Sequence, residues 1–88
     1  MKLLPFKIHL SSPEERIQFQ EALFSLGYAW GDGSKSPKML QYQYFCLCPL
    51  YEESEVLILC WTSEGAFHVD EDRELTFNQF LKEVEDAK

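Results

Sequence analysis

The chain has 88 residues, 45% of them apolar and 15% aromatic, and carries a net charge of −7. That length holds one domain, residues 1–88, and the composition packs a core where a disordered chain would lack apolar mass. Residues 1–50 carry five Lys/Arg against four Asp/Glu and residues 51–88 three against eleven, so the acidity sits in the second half. It argues against nucleic acid, whose phosphates are held by Lys and Arg, and favours a protein partner with a basic surface.

At the N-terminus, Leu3 and Leu4 begin an apolar run that Pro5, Lys7 and His9 interrupt, which does not fit a signal peptide. No stretch approaches the ~20 apolar residues of a membrane span, so a cytoplasmic location is expected. Residues 6–10 alternate, with Phe6, Ile8 and Leu10 apolar, as a half-buried strand does. Ser12, Pro13 and Glu15 spell a helix start: an N-cap, a first-turn proline and a capping-box partner. The helix should run to Leu26 and stop at Gly27, a residue at ease in the left-handed conformation. At 100° per residue, Phe19, Ala22, Leu23 and Leu26 form its core stripe, while Ile17 and Phe24 fall nearly opposite.

Residues 28–30 (Tyr-Ala-Trp) read as a short strand, and 31–38 as a flexible loop of turn-formers. Residues 40–48 form a strand with Tyr42, Tyr44, Cys46 and Cys48 on one face. Residues 52–55 are a polar turn, and 56–61 a continuous apolar run expected at the centre of the sheet. Residues 66–69 form the last strand. After a charged connector, Thr76 caps a second helix with Gln79 as its box partner, and Phe77, Phe80, Leu81 and Val84 line one face. The order β-α-β-β-β-β-α predicts an α+β domain, a mostly antiparallel sheet with two helices on one face and surplus aromatics on the other.

No motif names a reaction, and a non-enzyme without cofactor is the expectation. The Gly31–Ser36 stretch lacks the Gly-Lys-Ser order of a phosphate loop and is followed by Pro37, which blocks a helix there. Residues 70–74 lack the glycine and distal glutamate of a calcium loop. Cys46 and Cys48 project from one strand face, but paired zinc cysteines usually sit in a turn and zinc wants four ligands. With an odd total of three, counting Cys60, the cysteines read as free thiols packed as small apolar groups, with no metal. His68 has no recognisable nucleophile beside it.

The segment Ser12-Pro13-Glu14-Glu15, Phe19-Gln20-Glu21 and Leu23-Phe24-Ser25-Leu26-Gly27-Tyr28-Ala29-Trp30, with Thr76-Phe77-Asn78-Gln79-Phe80-Leu81, resembles small phage and prophage proteins of unassigned function. About half the chain carries the likeness, through caps and core aromatics. It implies a viral or mobile-element origin, hence a host cytoplasm, and transfers no catalytic residue. Two functions follow. The first is a small acidic accessory factor that binds and inhibits a host protein, through Ile17, Phe24, Tyr42, Tyr44 and Trp61, or pairs with a second copy of itself. The second is a binder of a small ligand or nucleotide, through an aromatic face with Trp30, Ser34, Lys35 and Lys38.

Overall fold

A computed structural model describes residues 3–51, 54 and 56–88. The polar turn expected at 52–55 therefore lies largely outside the described residues. The elements are β1 (Phe6–His9), α1 (Pro13–Ser25), β2 (Tyr44–Pro49), β3 (Leu57–Trp61), α2 (Glu64–Val69), β4 (Glu74–Leu75) and α3 (Phe77–Ala87). The four strands form one mixed sheet in the order β3-β2-β1-β4. β1 and β3 both run antiparallel to β2, and the short β4 runs parallel to β1. The α+β class and the mostly antiparallel sheet are as the sequence predicts.

Alternation divides the sheet into two faces. Phe6, Ile8, Phe45, Leu47 and Leu59 point one way, into a core completed by Phe19 and Leu23 of α1 and Phe80 and Val84 of α3. At its centre Phe19 meets Phe6, Phe45 and Phe80, with ring centroids 4.8–6.2 Å apart. Both long helices thus cover the same face. Ser12 caps α1 by accepting the Glu15 N–H, and Gly27 adopts φ 96°. The N–H groups of Gly27 and Tyr28 bond back to the carbonyls of Phe24 and Leu23, the paired bonds that close a helix on a left-handed residue. Thr76 and Gln79 make the full reciprocal box at the start of α3.

Four expectations are corrected. Residues 66–69 are not a strand but part of α2, because Ser63 accepts the Ala66 N–H and caps a helix there; four alternating residues are too few to set a period against a cap. α2 lies on the second face of the sheet, so that face is partly covered. Residues 28–30 supply only a single bridge, Trp30 beside Leu59, and β2 begins at Tyr44 because 40–43 turn. β3 is an edge strand, not the central one. Within β3 Leu59 alone is buried, flanked by residues 29–30, where its N–H reaches the Ala29 carbonyl.

The buried face of α1 is Arg16, Phe19, Gln20 and Leu23, an i, i+3, i+4, i+7 set with two polar members. Ala22 and Leu26 are only half-buried, as are Ile17 and Phe24, and Phe24 packs against the core. Beside β4, at the edge of the sheet, Arg73 ties the N-terminal segment to α3. It forms a bidentate pair with Glu83 (2.6 and 2.8 Å) and donates to the carbonyls of Leu4 and Pro5.

Candidate functional site

Two places on this scaffold bring chemistry-bearing side chains together. The first is the outer edge of β3. The loop before β2 is held there by the polar members of α1. Arg16 donates to the carbonyls of Leu10, Ser11 and Leu40. Gln20, fully buried, grips both backbone groups of one residue, with Oε1 accepting the Lys38 N–H (2.8 Å) and Nε2 donating to the Lys38 carbonyl (2.7 Å). Met39 follows in the left-handed region at φ 59°, uncommon for a side chain with a Cβ. A loop expected to be flexible is thus pinned at its C-terminal end.

Between this loop and the strand lies a cleft of about 300 Å³ lined by Trp30, Asp32, Lys38, Met39, Ile58 and Trp61, among others. Tyr42 stacks flat on Trp61, with centroids 3.9 Å apart and planes 5° from parallel, and Trp61 is 41% exposed. The Lys38 ammonium sits 5.5 Å from the Trp30 ring and 2.9 Å from the Asp32 carboxylate. That ammonium, with the Ser34 N–H, holds the Asp32 carboxyl well below its ordinary range.

The residues singled out from sequence divide accordingly. Trp30, Lys38 and Trp61 line the cleft, and Tyr42 stacks on Trp61 beside it. Ser34 lies beneath, its carbonyl taking the Trp30 N–H. Among the described residues its hydroxyl and the Trp30 indole N–H are buried without a partner. Lys35 is exposed and does not line the cleft. Tyr44 is on the opposite face of the sheet, stacked on His9 and against Phe67 of α2. Ile17 and Phe24 remain on α1.

The second place is the other sheet face. The registers set Lys7, Cys46 and Cys60 in one row across β1, β2 and β3, with Cys48 two residues along from Cys46 on the same side. The three sulfurs lie within 4.8 Å of one another, and Sγ of Cys48 is 2.8 Å from Sγ of Cys60. Cys46 is buried; the other two are half-buried. Hydrogen bonds from Cys46 and Cys60 hold the Cys48 thiol far below its ordinary range, and the contact with Cys48 pushes Cys46 up. Cys60, lowered by Cys46 but raised by Cys48 and by burial, ends at about 12. Lys7 is turned to α2, where its ammonium donates to the carbonyls of Phe67 (2.6 Å) and Asp70 (2.7 Å) and lies over the Phe67 ring. This is a favourable place for a cation, at a helix C-terminus.

His68 stands by Glu64 at 3.8 Å and His9 by Gln43 at 3.0 Å, so each histidine has a partner other than the sulfurs. Arg16, Gln20 and the approach of Cys60 to the Cys46/Cys48 pair are what sequence reasoning missed. The i, i+3, i+4, i+7 spacing of residues 16, 19, 20 and 23 was the available signal for the first two.

No protein family, no curated protein and no solved structure matches the chain. No helix among the described residues is long and apolar enough to cross a membrane.

Proposed function

We propose that the chain is a non-enzymatic protein-binding factor, of phage or mobile-element origin, that docks on a host protein and inhibits it. The observation that carries this reading is the Tyr42–Trp61 stack on the outer edge of β3. Stacking fixes both rings before any partner arrives, so little side-chain entropy is lost on docking, and Tyr and Trp are the residues that most often anchor an interface. Met39 stands beside them, also exposed. The acidic second half of the chain steers a partner with a basic rim. A second copy of the chain is the other partner this surface fits.

The cleft between Trp30 and Trp61 favours a second reading, a planar ligand such as a nucleobase held between rings. A nucleotide phosphate would need a cation, and Asp32 already neutralises Lys38 at the rim, so the protein-binding reading is the better supported.

Capture from host lysate by the wild-type protein and by Trp61→Ala tests the two together. The expected result is one protein retained in stoichiometric amount by the wild type. Losing an anchor worth about 2 kcal/mol weakens the complex roughly 30-fold, so the variant should retain little. A protein retained equally by both refutes this surface. A nucleotide released when the purified wild type is denatured favours the second reading.

A further inference from the structure

Nothing in the binding function uses the three cysteines, yet the fold gathers them. Cys46 and Cys48 come to one face because they are two apart on β2, and Cys60 joins them because the β2–β3 register sets it directly opposite Cys46. We propose that Cys46, Cys48 and Cys60 form a three-thiolate site for one soft, closed-shell metal cation, Zn²⁺ or Cu⁺.

The donor set selects the metal class. Three sulfurs with no oxygen or ring nitrogen among them match thiophilic ions and mismatch Mg²⁺ or Ca²⁺. The spacing also suits it. Metal–sulfur bonds of about 2.3 Å at tetrahedral angles put sulfurs ~3.8 Å apart, and these sulfurs span separations from 2.8 Å to at most 4.8 Å. Small rotations about the Cα–Cβ bonds even them out, since two of the three side chains are only half-buried. Cys60 also lines the cleft at the edge of β3, which gives an ion a path in.

Charge points the same way. Three thiolates need positive charge nearby, and the cation in their row, Lys7, is engaged by the carbonyls of Phe67 in α2 and of Asp70, its C-cap. Uptake displaces the remaining thiol protons to solvent, one for each sulfur that is still protonated. Among the described residues no fourth side-chain ligand joins the three, so a Zn²⁺ ion would keep a water in its fourth position, whereas Cu⁺ is content with three sulfurs.

The test uses the full chain, fully reduced under anaerobic conditions, titrated with Zn²⁺ and separately with Cu⁺ against chromophoric chelators, with Co²⁺ as the spectroscopic stand-in for Zn²⁺. The expected result is uptake of one ion per chain, with proton release and loss of thiol reactivity at all three cysteines. A thiolate-to-cobalt band with a tetrahedral ligand-field pattern identifies Zn²⁺ with water; uptake of Cu⁺ alone identifies the three-coordinate form. Cys48→Ser, at a half-buried position, should keep the metal-free unfolding midpoint and lose affinity by about 100-fold or more, since even outer-shell losses cost 10- to 100-fold. Failure of the reduced wild type to take up one ion, or equal affinity in Cys48→Ser, overturns the proposal. Because the readout is metal uptake, its failure leaves the protein-binding surface untouched.

Discussion

Gln20→Leu separates two accounts of why a polar side chain is fully buried in α1. If Gln20 only fills space, leucine, of similar volume, should be neutral or stabilising. If its carboxamide holds the loop, leucine leaves the Lys38 N–H and carbonyl without their partner. Stranding a buried donor or acceptor costs about 1–3 kcal/mol each. The new apolar side chain returns about 1.5 kcal/mol of burial, and Lys38, half-buried, regains part of its hydration as the loop moves. The net expectation is a loss of about 1–3 kcal/mol, against a total stability of roughly 4–13 kcal/mol for a domain of this size. Urea unfolding followed by circular dichroism should show a lowered midpoint at unchanged slope, and limited proteolysis should cut faster within residues 31–40. A midpoint equal to or above wild type, with unchanged cleavage, would refute the role assigned to Gln20.

Phe80→Ala, which removes a ring packed on Phe6 and Phe19, should cost about 3–5 kcal/mol, and Leu23→Ala about 2–5, in the same urea assay. The Arg73 guanidinium holds the Glu83 carboxyl below its ordinary range and is itself raised. The stabilisation from Glu83 is therefore full above the unfolded carboxylate pKa of about 4.3 and is lost as pH falls through the lower folded value. Glu83→Gln should flatten that acid limb of the stability profile, and an unchanged limb would count against the pair. Ile17→Ser with Phe24→Ser, both half-buried and Phe24 against the core, should cost about 2 kcal/mol in urea unfolding and leave partner capture by the folded fraction intact.

Local signals were the legible part of the fold. The cap at Ser12, the stop at Gly27 and the Thr76–Gln79 box each act within one helical turn, so the residues alone place them. What depended on distant partners was not legible. The apolar run of β3 looks the same whether a second strand or a loop covers its edge; here Ala29 and Trp30 do. Arg16 and Gln20 carry no burial signal of their own, because their partners, the peptide groups at 10–11 and 38–40, are brought to them only by the tertiary fold. In the sites, Cys46 and Cys48 on one face followed from strand alternation, but Cys60 opposite Cys46 follows from the hairpin register. Likewise Tyr42 was placed with Tyr44 by extending β2 too far. The turn at 40–43 frees Tyr42 to stack on Trp61 and leaves Tyr44 on the other side of the sheet.

Hydroxyl-radical footprinting read by mass spectrometry on the captured complex tests the binding surface most directly, because it reports side chain by side chain. In the free protein Trp61 and Met39, both exposed, should be oxidised readily and the buried Trp30 slowly. On complex formation Trp61, Tyr42 and Met39 should be protected together by at least about tenfold, as residues at the centre of an interface lose their water. A stoichiometric complex in which those three stay as reactive as in the free protein would contradict the assignment of the Tyr42–Trp61 edge as the docking surface.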